Sequence, residues 1–360
     1  MHAAPGRNAA RRRESATTGG VAMSNTSVLA ARLPRMAAAL LAAVTVALSP
    51  MLSGAVRAQN LTPPPAPYVI PLSIQPVPVP VAPDSGRLQI LIISGRNSFE
   101  HDWRGTNNAI RRMLEDTGRF EVHVTEEFRG ASARTLAPYD AVILNYLGRW
   151  NYGDPVEQRW GAAEEQALFD FVRSGHGVIV YHASLIMGAP SWPEFERMAG
   201  GTMRMSPPQS RRNPADAFLV HIVDRDHPIT RGMREYVWTL MDDMYTNMHW
   251  DPATPVHVLA AARDSAAAYD AHVAGPKYPA SVYGPDKLKA MPGIGQEHPQ
   301  VWTAAYGKGR VLGFAIGHGP DTLQYDGVQS LLIRGTEWAA SGQVTLPLKE
   351  KAKAYLEEGK

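Results

Sequence analysis

Phe171-Val-Arg-Ser-Gly-His-Gly-Val-Ile-Val-Tyr-His-Ala-Ser184 decides how the rest of the chain is read. Leu168, Phe171 and Val172 fall on one helical face, and Gly175 closes that helix. Val178–Tyr181 is a short, wholly apolar and β-branched run of the kind a strand buried on both faces needs. His182 follows at once. Upstream, Leu88–Ser94 reads as a strand ending in Gly95, and Ile110, Met113 and Leu114 give helical spacing before Gly118. Phe120–Thr125 alternates like a strand, and Ala141–Asn145 is another buried-type run. Strand, helix, strand, strand, helix, strand in so short a stretch predicts an α/β fold, a mostly parallel sheet with helices on both faces.

Downstream the pattern is less regular. Ser191-Trp-Pro-Glu194 reads as a capping-box start to a short helix. Phe218–Val223, Val237–Met241 and Val256–Ala261 look like strands. Val301–Ala305, the turn Gly307-Lys308-Gly309 and Arg310–Ile316 read as a hairpin, and Val328 to Trp338 as a closing helix. Gly275–Pro299, rich in Pro and Gly, is expected to be a long loop.

The ends carry different signals. From Met23 onward, Arg32 and Arg35, an apolar run Met36–Leu48 and Ala-Val-Arg-Ala at 55–58 make a basic region, a hydrophobic region and a small-residue cleavage site. Residues 1–58 are therefore expected to be an export signal. The alternative is a retained N-terminal anchor, for which the apolar run is short against the ~20 residues of a spanning helix. Residues 59–86 are expected to be a proline-rich linker, stiff and extended. The folded domain is expected over 87–345, with a charged tail at 346–360. An exported protein of the periplasm or the secreted fraction follows, with no membrane span in the mature chain.

Charge excludes one class of partner. Residues 1–58 hold seven of the 36 Lys+Arg and one of the 34 Asp+Glu, leaving 29 against 33, or −4, for the remainder. A mildly acidic body carries no electrostatic footprint for nucleic acid. The chain has no cysteine, which removes disulfides, thiolate-held metals and thiol nucleophiles together.

Polar residues gather just past the predicted strands. Glu100-His101-Asp102-Trp103 follows the first, His182-Ala183-Ser184 the fourth, and Gly317-His318-Gly319 the last. Strand ends on one edge of a parallel sheet are where α/β proteins build clefts, so residues more than 200 apart are expected to converge. Asp242-Asp243-Met244-Tyr245 adds two carboxylates and a phenol; on a strand, Asp243 and Tyr245 would share a face and Asp242 point away. Ser184 lacks a G-x-S-x-G context and reads as a hydrogen-bonding residue or helix cap rather than a nucleophile. For Glu100–Trp103, a solvated loop with a capping aspartate is the competing reading.

Taken in order, several motifs resemble the ThuA-like (trehalose-utilisation) family of the class I glutamine-amidotransferase-like superfamily. They are His101-Asp102-Trp103, the run from Gly175 to Ala183, His227-Pro-Ile-Thr-Arg-Gly232, Asp242–Tyr245, Trp302 with Tyr306–Val311, Gly317-His318 and Trp338-Ala339-Ala340. The resemblance spans about residues 88 to 342 and implies a flavodoxin-like three-layer sandwich. Its superfamily places a cysteine at the elbow, where this chain has His182-Ala183-Ser184, so glutamine hydrolysis through a thiolate is excluded. The family's association with carbohydrate use implies a small-molecule sugar partner, a glycoside or keto-sugar.

On that reading His182, Asp243 and His318 are the catalytic candidates. Glu100, His101, Asp102, Trp103, Ser184 and Tyr245 are the substrate-binding candidates. Trp192 and Trp302 are further aromatic candidates, with core packing favoured for Trp302 and Trp338. His101, His182 and His318 are metal-ligating candidates, and three histidines with a carboxylate match zinc. Two other readings stand beside the enzyme: a non-catalytic sugar-binding module, and a protein-interaction role for the proline-rich segment and the 275–299 loop.

Overall fold

The computed structural model describes residues 85–353, apart from 96, 98–99, 148–159, 188–191, 206–209, 215 and 271–289. The expected export signal, the expected linker up to residue 84, Ser191 of the expected capping box, most of the expected 275–299 loop and the expected tail beyond 353 lie outside the described residues.

The chain-order strands β1 (Leu88–Ile93), β2 (Phe120–Thr125), β3 (Ala141–Leu144) and β4 (Gly177–Tyr181) are followed by two short ones, β5 (Ile186–Met187) and β6 (Gly201–Arg204). Then come β7 (Arg211–Arg212), β8 (Asp216–Ile222), β9 (Tyr236–Asp242), β10 (Tyr245–Thr246) and β11 (His249–Trp250). The last are β12 (His257–Arg263), β13 (Glu297–Tyr306) and β14 (Gly309–Phe314). The helices are α1 (Trp103–Glu115), α2 (Ala133–Leu136), α3 (Ala162–Ser174), α4 (Pro193–Ala199), α5 (Ala267–Asp270) and α6 (Asp326–Ser341).

One nine-stranded sheet has the order β2-β1-β3-β4-β14-β13-β12-β8-β9. Its first five strands are parallel. The remainder is an antiparallel extension. The predicted parallel unit and the predicted hairpin therefore belong to one sheet. β13 begins at Glu297, so the expected loop ends before Pro299, which already pairs with Ala261.

Strand alternation sorts the core into two layers. Ile90, Ile92, Ile143 and Ile179 face the layer of Ile110 and Leu114 from α1 and Leu331 and Leu332 from α6. Leu91, Ile93, Val142, Val178 and Val180 face Leu168 and Val172 of α3 and Phe195 of α4. Both faces are thus covered, which explains why the parallel strands are continuous apolar runs. Trp302 is wholly buried and donates its indole N–H to the Ala199 carbonyl at 2.9 Å, a core position as favoured. Among the described residues, no helix is long and apolar enough to cross a membrane.

Parallel strands send their carboxyl ends to one edge. Counting the antiparallel pairings from β14 through β13, β12 and β8 shows that β9 points the same way as β14. The segments carrying His101, His182, Asp242, Asp243 and His318 therefore all leave this edge.

Candidate functional site

His182 opens a 3₁₀ turn (His182–Leu185) directly after β4, with φ at +37°. A branched-Cβ-free but bulky residue in that left-handed region stores strain of about 1–3 kcal/mol, and such outliers concentrate at functional sites. Its Nδ1 donates to the Ala315 carbonyl at 2.6 Å, an acceptor that can only be paired by an N–H. The tautomer is thereby fixed, and Nε2 is left facing Asp243 Oδ1 at 3.3 Å. His318 Nδ1 approaches the same Asp243 oxygen, also at 3.3 Å. His101 completes the group, with ring centroids 4.6 Å from His318 and 5.2 Å from His182. The Tyr245 ring lies 4.8 Å from that of His182.

A second tier holds these groups. Asp242 Oδ2 accepts from the Gly317 N–H at 2.9 Å, and its Oδ1 from the N–H groups of His318 and Asp243, each at 3.0 Å. The carboxylate expected to point away thus fastens the backbone that carries His318. Gly317 has φ at +127°, and a Cβ there would stand 1.9 Å from the Tyr181 hydroxyl, so only glycine fits. Arg212, placed by the pairing of β7 with β10, donates to Asp243 Oδ2 at 3.2 Å and to Glu100 Oε2 at 2.7 Å. On the β1–β3 side, Asn107 donates to Ser94 Oγ at 2.9 Å, Ser94 to the Asn145 carbonyl at 2.9 Å, and Asn145 to Asn107 Oδ1 at 2.8 Å. That closed network ties the start of α1 to the ends of two strands.

Electrostatics divide the histidines. Burial, then repulsion from His182 and His318, lowers His101 to about 2. Burial lowers His182 to about 4, with Asp243 pulling the other way. Burial also opposes charge on His318, but Asp243 outweighs it and raises that histidine above its ordinary value. Burial disfavours the Asp243 carboxylate, yet His318, His182 and Arg212 together hold it well below the usual range. Burial and the Asp243 charge push Asp242 up to about 7, against the N–H bonds it accepts. Burial thus weakens the proton affinity of His101 and His182, while Asp243 strengthens that of His318 and is itself held toward the carboxylate. That is a base and an acid in reach of one ligand. His318 has 23% of its side chain exposed, against 1% for His182, so the cluster opens to solvent on the His318 side.

The other candidates stand as follows. Glu100 meets the cluster through Arg212. Asp102 is exposed and caps α1, its Oδ1 accepting from the Gly105 N–H at 2.9 Å, the capping role named as the competing reading. Trp103 begins α1 and carries the Arg104 guanidinium 4.2 Å above its ring. Ser184 is buried; its hydroxyl donates to the Leu144 carbonyl and accepts from the Tyr146 N–H, each at 2.8 Å. It joins β4 to the end of β3 and leaves the histidines alone. Trp192 stacks on Phe195 at 4.7 Å, away from the cluster's ring contacts. Arg212 and the clamp made by Asp242 escaped the sequence reading. A paired Arg211-Arg212 ahead of a strand carries no signal that one of them will reach a carboxylate 31 residues on.

Fold and site define an α/β protein with a buried histidine–aspartate centre at the carboxyl edge of its sheet and no thiol chemistry. The chain belongs to the ThuA family, described as trehalose utilisation, whose model matches residues 89–339. Among solved structures it is similar to a ThuA-like protein from Parabacteroides merdae ATCC 43184. That pair shares 23% identity and a TM-score of 0.57, covering 74% of this chain and 95% of that one. It is also similar to a ThuA-like protein from Bacteroides uniformis ATCC 8492, at 18% identity and a TM-score of 0.50, covering 75% and 98%. At these identities the likeness shows the fold. No curated protein matches the chain.

Proposed function

We propose that this chain is an exported carbohydrate-active enzyme that moves protons on a glycoside or keto-sugar at the His101–His182–His318–Asp243 cluster. The convergence of those four side chains on one buried point of contact, from segments up to 217 residues apart in sequence, carries the reading. Removing a proton beside a sugar carbonyl needs a neutral base, and supplying one to the carbonyl or leaving oxygen needs an acid. His182, whose Nε2 lone pair is left free by the Nδ1–H bond to Ala315, suits the first task, and His318, whose proton affinity Asp243 raises, suits the second. The family's description as trehalose utilisation supports sugars as the substrate class. The parallel order β2-β1-β3-β4-β14 supports a flavodoxin-like framework, in which ligands sit where the strand order reverses, here beside β1 and β3.

The test is an NMR time course of the mature protein with disaccharides and their 3-keto forms. Turnover lost in His318→Ala and Asp243→Asn supports the reading; turnover unchanged in both variants removes the cluster from the mechanism. A second reading, a non-catalytic sugar-binding module, is favoured by one observation: in the elbow run His182-Ala183-Ser184, the one hydroxyl is committed to two backbone bonds. Line broadening without turnover would select it.

A further inference from the structure

We propose that His101, His182, His318 and Asp243 bind one divalent transition-metal ion, with zinc best matched to the donors. This deepens the proposed function, since it rests on the same cluster, but it does not depend on turnover. Spacing is the first argument. Two ligands about 2.0–2.1 Å from one ion at tetrahedral angles lie roughly 3.3 Å apart. His182 Nε2 and His318 Nδ1 each stand 3.3 Å from Asp243 Oδ1. The donor atoms of His101, His182 and His318 lie within 4.8 Å of one another, so small ring rotations bring all three to one ion.

Orientation is the second argument. His182 Nε2, His318 Nδ1 and Asp243 Oδ1 are buried, and none makes an aligned hydrogen bond among the described residues. With its proton on Nδ1 for the Ala315 carbonyl, His182 turns a lone pair toward a carboxylate oxygen. Two lone pairs in contact repel, and a cation between them reverses the sign.

Support of the ligands is the third. A metal-bound histidine usually gives its other N–H to a carbonyl or carboxylate, as His182 does. Arg212 occupies Asp243 Oδ2 and leaves Oδ1 as a single donor. Asp242 fixes the backbone of His318 through two N–H groups of the Gly317-His318 turn. Nitrogen donors with one carboxylate oxygen favour zinc or its first-row neighbours over magnesium and calcium, which prefer all-oxygen sets. A bound ion would polarise a sugar carbonyl or hydroxyl only by taking it as a fifth ligand, the Lewis-acid contribution such sites can make.

The experiment uses the mature chain without a polyhistidine tag, stripped with chelator and dialysed. Zinc binding is followed by calorimetry, retained metal by elemental analysis after desalting, and cobalt(II) by its visible absorption. The proposal expects about one zinc per chain, intense cobalt bands of a four-coordinate site, and affinity weakened more than about tenfold in His101→Ala, His318→Ala and Asp243→Asn. His257→Ala, whose imidazole pairs with Asp224 instead, should bind as the unaltered protein does. Circular dichroism identifies any variant that fails to fold, and His101→Ala, on the loop before α1, reads the site without touching the sheet. No retained zinc, or equal affinity in His101→Ala and His318→Ala, overturns the proposal. Zinc held tightly with no turnover of any sugar keeps this site and removes the enzyme; full turnover in chelated protein that binds no zinc does the reverse.

Discussion

Asp242 should matter more to stability than His318, although His318 is the residue a ligand meets. In Asp242→Ala three backbone N–H groups, those of Asp243, Gly317 and His318, lose their acceptor. Each buried donor left without a partner costs about 1–3 kcal/mol. Removing the carboxylate also relieves its burial cost and its repulsion with Asp243, which together push Asp242 up to about 7. The net loss should fall near the lower part of the range, about 3–5 kcal/mol. That is a large share of the ~5–15 kcal/mol that holds a domain together. Asp242→Asn keeps one oxygen for His318 and Asp243 but presents an NH₂ to the Gly317 N–H, so it should lose less, about 1–3 kcal/mol. Urea denaturation of the protein with unchanged m-value gives both numbers, and the alanine variant should melt about 10 °C lower. His318→Ala, by contrast, removes a partly exposed side chain and should shift stability by less than about 1.5 kcal/mol. If Asp242→Ala stays within about 0.5 kcal/mol of the unaltered protein, the clamp does not carry the His318 turn and the reasoning fails.

Gly317→Ala should be among the most damaging single-methyl changes, because its Cβ would meet the Tyr181 hydroxyl at a backbone angle that L-residues avoid; near-normal melting would show that the turn relaxes. Ser184→Ala should cost about 1–2 kcal/mol through its two backbone bonds while leaving zinc and sugar binding unchanged; lost binding would return Ser184 to the site. In chelated protein, His101 should make folding acid-sensitive. Its folded value, about 2, lies below the ordinary 6.5, so its contribution is full above pH 6.5 and is lost as pH falls toward 2. Between pH 7 and 5, His101→Gln should therefore lose about 2 kcal/mol less than the unaltered protein, with His182, His318, Asp243 and Arg212 present in both; equal losses would refute the burial argument.

The parallel half of the fold was legible in the chain because burial on both faces demands unbroken apolar strands. Val178–Tyr181 and Ala141–Leu144 can hardly be anything else between a helix closed by Gly175 and a turn. The histidines were legible for a related reason: strand ends point to one edge, so His101, His182 and His318 had to face the same side. The fate of neighbouring side chains was not. Asp102 and Trp103 adjoin His101, yet the start of α1 turns one into a cap and the other under Arg104. Period-two reasoning sent Asp242 away from Asp243, but β9 ends at Asp242, and the chain bends so that both carboxylates serve the cluster. Ser184 was open between a ligand and a structural role until the end of β3 came within hydrogen-bond reach.

By itself, the sequence determined which residue types could do chemistry here, which chemistry was excluded by the missing thiol, and on which strand ends the histidines stand, because local periodicity and composition suffice for all three. Only the tertiary structure decided that β9, separated from β14 by three strands of the sheet, delivers Asp242 beneath His318 and Asp243 between two imidazoles, and that Arg212 joins Asp243 to Glu100. Those contacts depend on the order and pairing of strands in a nine-stranded sheet, a property of long-range packing that no window of residues contains.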